Sequence, residues 1–524
     1  MTDWDIAIKE WEDLLGRENV RTDRSTLEHY VKNVSGLQYD IPPAIIFPGS
    51  TEEVQGVVKI ANKCKTPLYP ISSGRNWGLG SRLPVRGGCA IVDLSRMRGI
   101  REINEKLMYA VVEPGVTQGQ LYDVLKERRL PLIVDTTGSG KDTSIIGNAL
   151  DRGVGYFGLR FESLAGLEVV LGSGEVLRTG FWHIPNAKTA HIYKYGIGPS
   201  LDGLFAQGNF GIVTAAGVRL LPADQAHMSF VCGVKTTEQL PELVHDLVNL
   251  RRDGVVNTVV HIGNKNRTRI TLEPNIWEYL LRHMSGKIQT LVDSLFERFG
   301  EWSAVGVIRG SRMLVETLQK EVENRLKKHD RTLQFLTDEL FERFEGLPLS
   351  IEEKALLHAI KPLYGLTKGI PTDEMLKSVT WPIEGVPQNY RDLDETNSGM
   401  LYCLPIIPAT GEDIVTVYRM VCEVFRKYGF TPYVTFNLIN DGAIDGVINL
   451  AFDRTNQEQT VSAHKCIDEL EKRLVHEGYI PYRTGVQSMG SIVNPDETYW
   501  RIVKRLKDVL DPNLIIAPGR YNLV

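Results

Sequence analysis

Glycine spacing is where this sequence first offers chemistry. The run Pro70-Ile71-Ser72-Ser73-Gly74-Arg75-Asn76-Trp77-Gly78-Leu79-Gly80-Ser81 mixes three glycines with hydroxyl and amide side chains, directly after a β-rich stretch. Glycine admits left-handed backbone and close approach, so successive N–H groups of such a loop are able to converge on an anion, with Ser72, Ser73 and Asn76 as further donors. The pattern matches neither a G-x-x-x-x-G-K-[ST] loop nor a strand, G-x-G-x-x-G and helix unit, so kinase and Rossmann chemistry fit poorly. Alone, the loop reads equally as an anion cradle or as an ordinary tight turn. Two further blocks, residues 137–156 and 206–214, repeat the glycine density. Three such loops suit a long ligand, and a dinucleotide laid across them would need this much backbone access.

The elements that must position these loops follow from periodicity. Between residues 45 and 222, β-rich runs at 44–48 and 67–71 flank an amphipathic segment at 52–63. Strands are expected at 90–94, 109–113, 167–171 and 211–214, and a helix at 118–128. From about residue 225 to 476 glycine thins out and charged helices are expected at 287–299, 313–328 and 350–360, with strand-like runs at 400–407 and 447–452. The tail reads as a helix over 500–510, a breaker and a short extended segment. At 524 residues the chain exceeds one ordinary core. We divide it at 1–222, 223–476 and 477–524 and expect an α+β architecture.

Composition removes several function classes. Apolar residues make up 42% and charged residues 24%, as in folded domains, and the net charge of −5 comes without a basic block, which disfavours nucleic acid as a ligand. No apolar run reaches bilayer length and the first residues carry no export signal, so no membrane partner and a cytoplasmic location are expected. The six cysteines lack paired spacing and read as reduced thiols. His183, His191, His261 and His464 have no second ligand at helical spacing, so no metal site is expected and all four are read as structural.

Several motifs stand in one order along the chain: 70–80, Val112-Glu113-Pro114-Gly115-Val116-Thr117, 147–156, 208–214, Gly369-Ile370-Pro371, Tyr482-Arg483-Thr484, and Asp511-Pro512-Asn513 through Ala517-Pro518-Gly519. In these the whole chain resembles the vanillyl-alcohol oxidase and 4-cresol methylhydroxylase flavoproteins, nearer the cresol- and eugenol-hydroxylase branch. The resemblance implies FAD, held by a two-part FAD-binding domain made of the N-terminal region and the tail, with an inserted α/β cap domain over the flavin. It implies a cofactor-binding set of Ser72, Ser73, Gly74, Arg75, Asn76, Trp77, Gly78 and Leu79 in the first loop. The second block adds Thr137, Gly138, Ser144, Gly147, Asn148, Arg152, Gly153, Gly155 and Tyr156. Gly208, Gly211, Ile212, Val213, Arg520 and Tyr402 complete the set.

The implied reaction takes a hydride from a carbon para to a phenolic hydroxyl, the phenolate being stabilised by donors at its oxygen. Tyr482 and Arg483 stand where the family places two such donors, and Arg483 supplies a permanent positive charge. The alternative for Arg483 is a structural ion pair with a cap carboxylate. A small-molecule substrate, a homo-oligomer, and O2 or a c-type cytochrome as electron acceptor complete the expectation. Rival readings are a family member acting on a non-phenolic metabolite or hydroxy acid, and a flavin-binding scaffold without turnover.

Four departures qualify the resemblance. Leu79 replaces a tyrosine that phenol-oxidising relatives carry after Asn-x-Gly, which removes one hydroxyl from the phenol site. The acid near the flavin in some relatives falls within 135–142, giving Asp142 or Asp135 as a proton-transfer candidate, with turn capping as the other reading of Asp142. Residues 157–162 lose polar groups of the family pattern and gain Arg160. Met400 occupies the position of the flavin-linking histidine of the oxidases and cannot form that bond. Tyr402 lies on the same strand face, either as a tyrosyl ether to the flavin or as a pocket aromatic. A strand pair carrying Asn437, Asn440, Asp441 and Asp445 is loosely like the hydroxylase branch.

Overall fold

The computed structural model describes residues 2–329, 333–345 and 347–524. Its first part holds two main sheets beside a two-stranded ribbon of Leu132–Ile133 and Leu221–Pro222. One runs Val20–Arg21, Ile45–Ile46, Ala90–Asp93, Leu68–Ile71, with parallel pairing of the last three. The other is antiparallel, in the order Ile100–Asn104, Tyr109–Val112, Gly211–Arg219, Leu164–Leu171, Val176–Arg178. The helix Thr51–Cys64 shows why the local sequence folds as expected. Ser50 caps it by accepting from the Glu53 N–H at 3.2 Å, Glu52 and Glu53 sit at the positive end, and Val54, Val57, Val58 and Ala61 form one buried stripe.

The middle of the chain builds one large antiparallel sheet in the order Gln334–Leu336, Ala226–Val234, Trp302–Gly310, Val260–Asn264, Tyr433–Leu438, Ala443–Asp453, Ser398–Cys403, with Ile406–Pro408 also pairing Ala443–Asp453. The expected helices are present, the third running on as Ile351–Thr367 through an internal Pro362. Strand alternation splits the residues cleanly. Val260, Ile262, Val434, Phe436, Leu438, Ile444, Ile448, Leu401 and Cys403 join the core beneath the helices Leu240–Arg252, Gly411–Tyr428 and Gln457–His476. His261, Thr435, Asn437, Asp445, Val447, Met400 and Tyr402 therefore point to the opposite face. There the sheet is approached by Lys265–His283 and Lys377–Glu384.

The tail returns to the first part. After the helix Thr498–Leu510, Leu68 donates to the Ile515 carbonyl and Ala517 donates back to Leu68, both at 2.7 Å. A fully buried ion pair sets this turn. Lys507 Nζ donates to Asp511 at 2.6 Å, to the Ile516 carbonyl at 2.7 Å and to the Asn209 carbonyl, while Asp511 accepts from the Ile516 N–H at 2.8 Å. Removing one partner of such a pair strands the other charge in the interior. Lys507→Met should cost about 3–5 kcal/mol, measured as a lowered urea midpoint at unchanged slope. An unshifted midpoint would show that the tail turn is held by other contacts.

Candidate functional site

The strand Leu68–Ile71 delivers the glycine loop, which folds back through Leu79 and Ser81 N–H bonds to the Asn76 carbonyl at 3.1 and 2.9 Å. Gly78 has φ of +75°, and a Cβ there would lie 2.6 Å from the Tyr402 ring, so only glycine lets the loop press against the strand Ser398–Cys403. The helix Ile145–Leu150 abuts the same loop so closely that a Cβ on Gly147 would overlap the Ser72 hydroxyl. Between these loops, the tail and the open face of the large sheet lies a cavity of about 490 Å³, within the usual range for small-molecule sites.

Most of the expected residues meet at this cavity. Ser72, Ser73, Gly74, Arg75, Asn76, Trp77 and Leu79 line it from the first loop, and Thr137, Gly138, Ser144, Gly147, Asn148, Gly153, Gly155 and Tyr156 from the second block. Gly208, Gly211, Ile212, Val213, Tyr402, Tyr482, Arg483 and Arg520 complete the wall. Four expected residues lie outside it. Gly78 is covered by Tyr402, and Arg152 is exposed with a left-handed φ of 55°. Asp142 is exposed and ion-paired to Arg75 at 2.8 Å, which corrects its assignment to proton transfer: the pair holds its carboxylate at the surface. Asp135 packs behind Gly155, with burial raising its pKa to about 6 against the pull of Arg160.

The segment carrying Tyr482 and Arg483 is tied on both sides. Tyr482 N–H donates to the Leu404 carbonyl at 3.1 Å, Gln207 donates to the Tyr482 carbonyl at 2.8 Å, and Val486 N–H donates to the Leu79 carbonyl at 3.1 Å. Arg483 donates to Asn76 Oδ1 at 2.8 Å and to Asp151 Oδ2 at 2.6 Å. The other Asp151 oxygen accepts from Arg520 at 2.7 Å, and Arg520 also reaches the Tyr69 hydroxyl at 3.2 Å. Two guanidinium groups thus share one carboxylate and leave a net positive charge at the wall. Arg483 does form an ion pair, as its alternative reading has it, but the partner Asp151 comes from the second glycine block and not from the cap side.

Across the large sheet runs a polar row whose members the sequence offers singly but does not bring together. His261 pairs with Asn437, and Asn437 with Asp445, as direct cross-strand neighbours. His261 Nδ1 contacts Asn437 Oδ1 at 2.6 Å, so Nδ1 carries the proton and Nε2, buried without a partner, is left as an acceptor. Burial pushes this imidazole down to about 4 and keeps it neutral. Asp445 is buried with neither oxygen in a well-formed hydrogen bond, while the Asn437 amide and Tyr482 hydroxyl stand beside it. Burial lifts its carboxyl to about 7 despite these donors and Arg483. Burial also raises the Tyr482 pKa, so its hydroxyl stays protonated. The available signal was a polar residue at alternate positions of apolar strands, as in Val260-His261-Ile262.

A dinucleotide fits what is present. Glycine faces replace side chains where the loops converge, Trp77 Nε1 and Arg483 Nε are buried donors without partners, and the Asp151 cluster carries excess positive charge. Among the described residues no group of three or more histidine, cysteine or carboxylate side chains could hold a metal ion, and no helix is long and apolar enough to cross a membrane.

Comparison with known proteins agrees. A family model described as an FAD binding domain matches residues 42–180. The chain is 33% identical to the 1'-carboxy-chondrochloren decarboxylase of Chondromyces crocatus, across 98% of this chain and 97% of that protein. It is 30% identical to the 4-cresol dehydrogenase [hydroxylating] flavoprotein subunit of Pseudomonas putida, across 99% and 95%. Among solved structures, p-cresol methylhydroxylase with substrate bound superposes with a TM-score of 0.85 at 29% identity, covering 99% of this chain and 96% of that one. With its glycine-lined cavity and these end-to-end matches, the chain belongs to the 4-cresol methylhydroxylase and vanillyl-alcohol oxidase family of FAD-dependent oxidoreductases.

Proposed function

We propose that this enzyme takes a hydride from the benzylic carbon of a para-substituted phenol, with oxidation or hydroxylation as the outcome. The observation that carries this reading is the meeting of Tyr482, Arg483 and Asp445 in the cavity that the glycine loop enters. The loops at 72–79 and 137–156 with Arg520 would hold FAD, and residues 223–476 would cover it. Bound FAD supplies the hydride acceptor. Tyr482 donates a hydrogen bond to the phenolic oxygen and Arg483 balances its negative charge, which favours electron flow toward the carbon that loses hydride. Asp445, poised near neutrality, takes the phenol proton. Leu79, buried in the wall where a tyrosine would add a third donor, leaves the phenol end more dependent on Tyr482 and Arg483.

Met400 and Tyr402 both reach the cavity, and Tyr402 is the side chain able to form an ether to the flavin. Reduced enzyme would pass its electrons to O2 or to a cytochrome; the Pseudomonas relative is named as one subunit of a dehydrogenase. The Chondromyces relative is named for a decarboxylation, so neutral phenols are not the whole range of substrates open to such a site.

Anaerobic 4-alkylphenol should bleach the flavin absorbance of the purified enzyme. Bleaching by 2-hydroxy acids but by no phenol would overturn the reading. Arg483→Ala should lower kcat/KM by about 10²–10³, checked with the same phenol in steady state. The kcat/KM profile should rise through pH of about 7 as Asp445 deprotonates, and Asp445→Asn should flatten that limb.

The same carboxyl sets a stability trend. Its pKa rises from 3.8 unfolded to about 7 folded, so between these values the folded state binds the extra proton and stability falls as pH rises. Asp445→Asn should therefore raise Tm relative to wild type at pH 8, with the gap closing toward pH 4, followed by thermal denaturation across pH.

A further inference from the structure

The cavity wall contains four cationic side chains, Arg75, Arg267, Arg483 and Arg520. Three have carboxylate partners: Arg75 with Asp142 at 2.8 Å, Arg483 with Asp151 at 2.6 Å and Arg520 with Asp151 at 2.7 Å. The Arg267 guanidinium makes no hydrogen bond or ion pair among the described residues; only its backbone is engaged, donating to Asn264 and accepting from Thr271. Its ionisable neighbours are Tyr156, Tyr402 and His261, all neutral at working pH. Burial works against its charge, yet a guanidinium does not give up its proton under these conditions.

Its place in the fold adds to the cost. Arg267 lies in the first turn of the helix Lys265–His283, which has no acidic residue there, so the positive end of the helix dipole and the guanidinium repel each other. A half-buried cation facing a cavity with no partner is a costly group for a protein to carry, and it persists where a ligand supplies the opposite charge. The pyrophosphate of a dinucleotide would have its own cradle in the glycine loops. Arg267 instead projects from the helix over the large sheet, on the same open face as Asn437 and Asp445.

We infer that Arg267 is the receptor for a carboxylate on the substrate, so that the preferred substrate class is an aromatic acid bearing its carboxylate on the para side chain. This deepens the phenol reading and rests on it only for the position of the ring. A planar guanidinium with five donors suits two carboxylate oxygens, and Thr271 and Thr435 line the same wall.

The test uses the FAD-loaded enzyme, reduced and kept anaerobic so that no turnover occurs. Calorimetric titration compares 4-hydroxyphenylacetate and 3-(4-hydroxyphenyl)propanoate with their primary amides and with 3-phenylpropanoate. Wild type should bind at least one acid on the order of 10–100-fold tighter than its amide. Arg267→Met should erase that preference with flavin content retained, and Arg267→Lys should keep part of it. Equal binding of acid and amide, no binding of either acid, or a preference unchanged in Arg267→Met would each overturn the inference. A variant that shifts the flavin reduction potential while keeping the preference would assign Arg267 to the flavin. The phenol reading fails separately: 3-phenylpropanoate binding as tightly as its hydroxylated counterpart would remove the phenol site and leave the carboxylate receptor standing.

Discussion

One carboxylate holds this site together. Asp151, just after the helix Ile145–Leu150, accepts from Arg483 on the segment that enters from the large sheet and from Arg520 near the chain end. Two arginines, 332 and 369 residues further along the chain, thus converge on its two oxygen atoms. The Asp151 carboxylate offsets the cost of holding the Arg483 guanidinium against Asn76 and away from bulk water. The Tyr482 backbone, fixed by Leu404 and Gln207, then carries its hydroxyl to Asp445 as a consequence of where Arg483 is anchored. The excess positive charge of the cluster also makes the cavity receptive to anions before any ligand arrives.

Legibility followed sequence distance. The glycine blocks could be read because the backbone freedom they need is encoded by residue type at contiguous positions, and the loops do meet around the cavity. The long helices and central strands could be read from periodicity, as in Thr51–Cys64. What could not be read was register. Nothing in the local sequence of His261, Asn437 or Asp445 says that they stand opposite one another, since that follows from pairing across three strands. Asp142 was misplaced for a related reason: its partner, Arg75, lies 67 residues away in sequence, and the pair turns an apparent acid–base candidate into a surface clasp. Arg483 shows the intermediate case, where resemblance located the residue and only the fold identified Asp151 as its partner.

Arg267 and Asp445 show how the large sheet handles charge. Each is an ionisable group on the open face, without a well-formed bond to a partner of its own. Burial acts on both, lifting the carboxyl toward neutrality and weighing on the guanidinium. Groups left unmatched in this way hold the site ready for a molecule that matches them, at a standing cost to the free protein.

The alternation of the large sheet has an evolutionary side. In Val260–Asn264, Tyr433–Leu438 and Ala443–Asp453, Val260, Ile262, Val434, Phe436, Leu438, Ile444 and Ile448 belong to the core, while His261, Thr435, Asn437, Asp445 and Val447 between them face the cavity. A single substitution at an odd position can rewrite what the enzyme recognises without disturbing the packing that keeps it folded. Innovation and robustness are thus assigned to opposite faces of the same strands, which lets one scaffold diversify its chemistry by point mutation.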